Sequence, residues 1–248
     1  MSARNMSKHI VTAFDDDLRG ISSRIAEMGG LAEEQLGSAI EALSTRDSEL
    51  AAEVIRSDKR LDRMEAQLEK SAVEVVALRQ PMASDLREVI AALKIASALE
   101  RIGDLAKNVA KRTLILNQSA PLRVTSSVVR MGKQTRTLMA EALDAYTARD
   151  LALSVSVWKR DIEIDEIHNS IFRELITYMM EDPRTISLCS QLLFVVKNFE
   201  RIGDHTTFIA EMTYFAVQGR PLGDDRPKSS DWDELAIGHE DGTGGSAG

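Results

Sequence analysis

Apolar residues recur every three or four positions along most of this chain, which is the period of an amphipathic helix. Ile21, Ile25, Met28, Leu31, Leu36, Ile40 and Leu43 form one stripe. Ala51, Val54, Leu61, Met64, Leu68, Val75 and Leu78 form a second, predicting one helix from Ser48 to Leu78 that Pro81 brings to an end. A third pattern opens at Ser84, read as its N-cap, and runs to Leu116; Pro121 closes the unit. Helices of about 30 residues are about 45 Å long, so an elongated bundle is expected.

The pattern then repeats. Arg46, Asp47, Leu50, Val54, Asp58 and Asp62 recur as Arg149, Asp150, Leu153, Val157, Asp161 and Asp165 at an offset of 103, without a gap. Met28-Gly29 falls on Met131-Gly132 at the same offset, and Pro81 has a counterpart in Pro183. Further on, Glu100-Arg101-Ile102-Gly103-Asp104 recurs unchanged as Glu200-Arg201-Ile202-Gly203-Asp204. This is an internal duplication. It predicts an all-α protein made of two tandem three-helix bundles with antiparallel neighbours. The units are an N-terminal segment over 1–17, a first repeat over 18–119, a second over 123–219 and a tail over 220–248.

Composition agrees with helices. Aromatic residues make up only 4% and there are 5 prolines in 248 residues. The net charge of -8 argues against a general nucleic-acid binder. The tail carries 7 acidic residues against 3 basic and 6 of the 14 glycines, a composition that predicts an acidic, disordered segment. The lone Cys189, among Leu188, Leu192 and Leu193, excludes an intrachain disulfide and reads as a buried thiol. Neither a leader nor a run of about 18 apolar residues is visible, so a cytoplasmic protein without a transmembrane segment is expected.

The duplicated acids carry the candidate chemistry. Glu100 and Asp104 lie one helical turn apart on one face, as do Asp58 with Asp62, Asp161 with Asp165, and Glu200 with Asp204. Like charges at that spacing repel by about 0.2–0.5 kcal/mol per pair. If neighbouring helices bring the pairs together, four carboxylates converge in each repeat and need protons, basic partners or a multivalent cation. Arg101, Lys107 and Lys111 are the basic partners at hand, and a solvated face laced with salt bridges is the simplest account of any single pair. Survival of all four pairs after duplication favours metal binding. Oxygen-only donors select hard cations such as Mg2+, Mn2+, Ca2+ or Fe3+ over a thiolate zinc site. Ile95, Ile102, Val109 and Leu116 form the core stripe of the third helix, so Glu100 is expected on the opposite, surface side. Gly103 and Gly203 lie inside helical patterns, where each costs about 1 kcal/mol against Ala, and predict close packing by another backbone.

The paired Glu-Arg-Ile-Gly-Asp segments, each preceded by Asp-x-x-x-Asp, resemble the PhoU family of phosphate-signalling regulators. Arg79-Gln80-Pro81-Met82-Ala83-Ser84-Asp85-Leu86-Arg87 is similar to that family's first repeat, and the resemblance spans about residues 15–217. It implies tandem three-helix bundles, pairing as a homodimer, and multinuclear metal sites. The implied ligands are Asp58, Asp62, Glu100 and Asp104, then Asp161, Asp165, Glu200 and Asp204, holding iron, manganese, magnesium or zinc. It also implies a non-enzymatic negative regulator of the phosphate-starvation response and of phosphate uptake. Its implied partners are the ATPase subunit of a phosphate ABC transporter and a sensor histidine kinase, which would place it peripherally at the inner membrane. Two departures weaken the carry-over to the second repeat: Phe208 stands where the first repeat has Asn108, and Asp85-Leu86-Arg87 has no counterpart.

Two other readings compete. Asp165-x-x-His168 imitates the carboxylate–x–x–His pair of a helical di-iron oxidase or metal-storage protein, although the first repeat has Glu65 where His168 aligns. His168 alone reads as an exposed or capping histidine, and His205 points about 100° away from the face of Asp204. The remaining reading is a metal-free helical scaffold. No phosphate loop, nucleotide fingerprint or nucleophile–base set is visible.

Overall fold

The computed structural model describes residues 3–223, with side chains from 16 onward. The acidic tail expected over 220–248 lies outside the described residues from 224. The helices are α1 (Ala3–Thr45), α2 (Ser48–Ser57), α3 (Lys59–Arg79), α4 (Ser84–Leu116), α5 (Thr125–Ala148), α6 (Leu151–Glu181) and α7 (Ile186–Gln218). A short 3-10 turn, Pro183–Thr185, leads into α7. The described part of the expected N-terminal segment, residues 3–17, and the start of the first repeat share α1. Among the described residues there is no strand, and no helix is long and apolar enough to cross a membrane.

The duplicated Arg-Asp pair makes the same tight connection twice. Arg46 and Arg149 adopt the left-handed conformation, with φ of 60° and 53°, and stop the preceding helix. Asp47 and Asp150 follow as N-caps. Asp47 Oδ1 accepts from the backbone N–H of Glu49 and of Leu50, and Asp150 Oδ1 from that of Leu153.

α1, α2–α3 and α4 form one three-helix unit, and α5, α6 and α7 the other. The two tandem three-helix units pack on each other, and a single apolar core runs through both. α4 and α7 lie against each other at its centre, and α1 also meets α5. The α4–α7 pair is antiparallel. At one end the Arg112 guanidinium stacks on the Phe194 ring at 4.5 Å and donates to Gln191 at 2.9 Å. At the other, Arg87 lies against Gly219. Buried Ala91, Ala92, Ala96, Ala106 and Ala110 give α4 the narrow surface that a central helix needs.

The structure corrects several expectations. The second helix is interrupted at Asp58, where Leu61 N–H donates to the Asp58 carbonyl three residues back at 3.0 Å. Its counterpart α6 runs unbroken through Asp161. Ser84 is already helical; the N-cap is Ala83, at φ 47° and without a capping side chain. Leu78 is 78% exposed rather than core, because it lies off the buried stripe of Leu61, Leu68, Ala72 and Val75 on α3. Gly103 and Gly203 accommodate side chains, not a backbone: Leu61 fills the space beside Gly103, and Ile164 lies 3.3 Å from where a Gly203 Cβ would sit. Cys189 is buried, as its apolar neighbours predict.

Candidate functional site

In the first repeat the break between α2 and α3 sets Asp58 against α4. Asp58 is 6% exposed. Its partner is Lys107, whose ammonium donates both to Asp58 and, at 2.5 Å, to Asp104. Burial pulls the Lys107 ammonium toward neutrality, but its bonds to Asp104 and Asp58 outweigh that and hold its pKa up at about 12. Gln35, a buried amide on α1, points its Nε2 toward Asp58 Oδ1 at 3.5 Å and toward the Gly103 carbonyl at 3.4 Å.

Glu100 lies on the same side of α4, with its side chain 15% exposed. Burial raises its pKa first, and Asp104 adds to the rise. Arg101 opposes it, and Glu65 and Asp62 push further the same way. Asp62, the outermost of the group, is exposed. Asp62, Glu100 and Asp104 therefore act on one another electrostatically, and Lys107 ties Asp58 to Asp104; Asp58 and Glu100 are largely withdrawn from solvent, whereas Asp62 faces it. Among the described residues, no three His, Cys, Asp or Glu side chains are gathered as a metal-holding set. Lys107 and Arg101 supply positive charge inside the group.

The second repeat solves the same problem differently. Asp161 is 3% exposed and accepts from the Thr207 hydroxyl at 2.9 Å. Its carboxylate also lies 3.5 Å from the Cβ position of Gly203, so α6 and α7 meet at the expected place. Asp165 and Asp204 are half-buried on the same two helices. Lys197 donates to Glu200 Oε1 at 2.7 Å, while Glu200 Oε2 is buried without a hydrogen-bond partner. Leaving such an acceptor unsatisfied costs about 1–3 kcal/mol. Glu200 Oε2 is thus an acceptor that no protein group uses, but no three carboxylates are gathered around it among the described residues.

Sequence reasoning missed three residues. Glu65, one turn after Asp62, has its pKa raised chiefly by burial, is opposed by a hydrogen bond from Ser97, and belongs to the acidic group. Its i+3 spacing from Asp62 was the available signal. Gln35 was visible as an amide inside the apolar stripe of α1. Thr207 carried no signal, because threonine in a helix has no distinctive chemistry. His168 is half-buried: its ring stacks on Phe172 at 6.5 Å and its Nδ1 lies 3.3 Å from Asn169 Oδ1. His205 is lowered by burial; Asp204 opposes this, whereas Arg201 and, from the other repeat, Arg101 add to it. The two pentapeptides thus lie within electrostatic reach of each other across α4 and α7.

A family model, the PhoU domain, matches twice, over residues 25–113 and 128–213. The chain belongs to the PhoU family. Both PhoU matches contain their repeat's four candidate acids. The chain is 49% identical over 224 residues to a protein of Caulobacter vibrioides named phosphate-specific transport system accessory protein PhoU homolog, covering 90% of this chain and 97% of that one. The fold is that of solved PhoU structures. The crystal structure of PhoU from Pseudomonas aeruginosa matches with a TM-score of 0.81 and 39% identity, covering 84% of this chain and 100% of the other. The PhoU from Streptococcus pneumoniae matches with a TM-score of 0.78 and 28% identity, covering 85% of this chain and 99% of the other.

Proposed function

We propose that this protein is a negative regulator of the phosphate-starvation response and of phosphate uptake. It acts as a metal-binding adaptor between a phosphate ABC transporter and a sensor histidine kinase. The observation that carries this reading is the near full-length match, at 49% identity, to a relative named as a phosphate transport accessory protein. The long helices support an adaptor, because they offer extended faces to partners. Its place is the cytoplasm, peripheral to the inner membrane through those partners, and its working form is a homodimer. No catalytic step is assigned to it.

The metal part of the proposal rests on the paired carboxylates. Asp58, Asp62, Glu100 and Asp104 would hold one centre, and Asp161, Asp165, Glu200 and Asp204 the other. A bound hard cation supplies charge neutralisation between the second and third helices of each repeat. The chain's own carboxylates position those helices, and Lys107 and Lys197 balance charge beside them. The oxidase reading draws no support from His168, which packs on Phe172.

A reporter driven by a phosphate-starvation promoter, measured in phosphate-replete cells, tests the reading. Deletion should switch the reporter on, and a silent reporter would overturn the regulatory role. A folded variant with Glu100, Asp104, Glu200 and Asp204 changed to Ala should behave like the deletion. If it behaves like wild type, the acidic centres are dispensable for regulation.

A further inference from the structure

The exposed charges of the two central helices share one sign. Lys94, Arg101 and Lys111 on α4 and Lys197 and Arg201 on α7 are exposed, whereas every acidic residue of both helices is half-buried. This holds although the chain as a whole carries a net charge of -8. Arg112 stacks on Phe194, and Arg101 and Arg201 both bear on His205, so the two helices present these groups along one seam. Phe194, 53% exposed, and Ile90 add apolar surface to it. We infer that the seam is a docking surface for the chain's own tail, whose residues 231–241 hold five acids, no lysine or arginine, and the apolar Trp232, Leu235 and Ile237. The inference goes beyond the regulatory reading and does not depend on metal.

The chain leaves the described residues close to this seam. Leu222 is buried, and Gly223 lies against the Trp158 ring of α6, which a Cβ on it would meet at 3.7 Å. The Trp158 indole in turn donates to Glu211 of α7. Glu211 is ten residues from Arg201, about 15 Å along a helix, and seventeen from Phe194, about 26 Å. The eight residues that lead from Gly223 to Asp231 span up to about 28 Å when extended, so the acidic segment reaches both. Its acids and apolar side chains match the cations and the Phe194 ring of the seam. Arg101 holds Glu100 and Asp104 only at 3.6 and 3.8 Å, which leaves guanidinium donors for a further carboxylate. Tethering raises the effective concentration of the segment to the order of mM, so a weak contact suffices. The segment lies outside both PhoU matches, so the docking belongs to this chain's tail and not to the repeats. A partner that uses the seam must displace it.

Acrylamide quenching of Trp232 in the full chain tests the docking, with the Trp232→Phe chain supplying the signal of Trp158. At low salt, Trp232 should be at least about twofold less accessible than in a free peptide of residues 224–248, as docking for half the time or more requires. High salt should bring it to the peptide's value, because the contact is between exposed charges. Lys94→Glu with Arg201→Glu should do the same at low salt. Asp231→Lys with Asp233→Lys and Glu234→Lys should then restore the protection in that reversed chain. Peptide-like quenching at low salt, or protection that neither salt nor charge reversal changes, overturns the docking. Protection that grows with protein concentration overturns it too, by placing the tail on a second copy. Circular dichroism checks each variant, and should the reversed chain not fold, the salt series on the wild type decides.

Discussion

The Leu61 side chain occupies the space that a Cβ on Gly103 would need. Helix propensity alone predicts that alanine at Gly103 should gain about 1 kcal/mol. The clash reverses the sign, because forcing a methyl into a filled core costs about 1–3 kcal/mol. At the equivalent Gly203 the nearest atom is Ile164 Cγ2 at 3.3 Å, which a small shift relieves. Thermal unfolding should therefore show Gly103→Ala well below wild type and Gly203→Ala close to it. Equal losses at both sites would contradict the packing account.

The paired N-caps give a second test. Asp47→Ala and Asp150→Ala should each cost about 1 kcal/mol in denaturant unfolding. Asp47 should cost the more, since its side chain satisfies two backbone donors and Asp150 only one. Asn at either position should restore most of the loss, because its carbonyl oxygen caps equally well.

Burial, reinforced by Asp104, makes the folded chain hold the Glu100 proton to a higher pH than the unfolded chain does. Above the ordinary 4.5 the folded state then binds more protons, so this group's contribution to stability falls as pH rises through the folded pKa. Glu100→Gln should raise Tm at pH 7 relative to wild type, and the gap should narrow as pH approaches 4.5. Glu65→Gln should shift Tm in the same direction, because its pKa is raised in the same sense. A gap that widens in acid would refute the assignment.

Lys107 works with the opposite sign. Its pKa is raised from 10.5 to about 12, so its stabilisation is fully present below pH 10.5 and is lost as pH rises through about 12. Lys107→Met keeps the length and removes the charge, leaving Asp58 and Asp104 without their shared donor. The expected cost near neutral pH is about 2–4 kcal/mol, read from urea midpoints. The double variant with Asp58→Asn should recover part of that cost, because no unpaired buried charge remains at Asp58. No recovery would mean that the pair acts only through packing.

Much of the fold and part of the site were legible in the sequence. The third helix was placed from Ser84 to Leu116 because its apolar period is unbroken and prolines flank it. The four acidic pairs were found because i,i+4 spacing fixes a shared face whatever the tertiary context. The break at Asp58 was not legible: residues 57 to 61 read as ordinary helix, and Asp58 itself keeps helical dihedrals. Nor was the exposure of Leu78, because the three-residue step from Val75 fits a helical period and still carries Leu78 off the buried stripe.

The sequence by itself determined the helical class, the duplication, and which carboxylates share a helix face. These depend on contacts within a few residues, or on repetition along the chain. Only the tertiary structure decided that one core joins both repeats, with α4 antiparallel to α7. It also decided that Lys107 meets an aspartate 49 positions away, while Thr207 meets Asp161 in the other copy. Those pairings depend on the rotation and offset of packed helices. Packing sets both, and neither is encoded in the spacing of residues along a single helix.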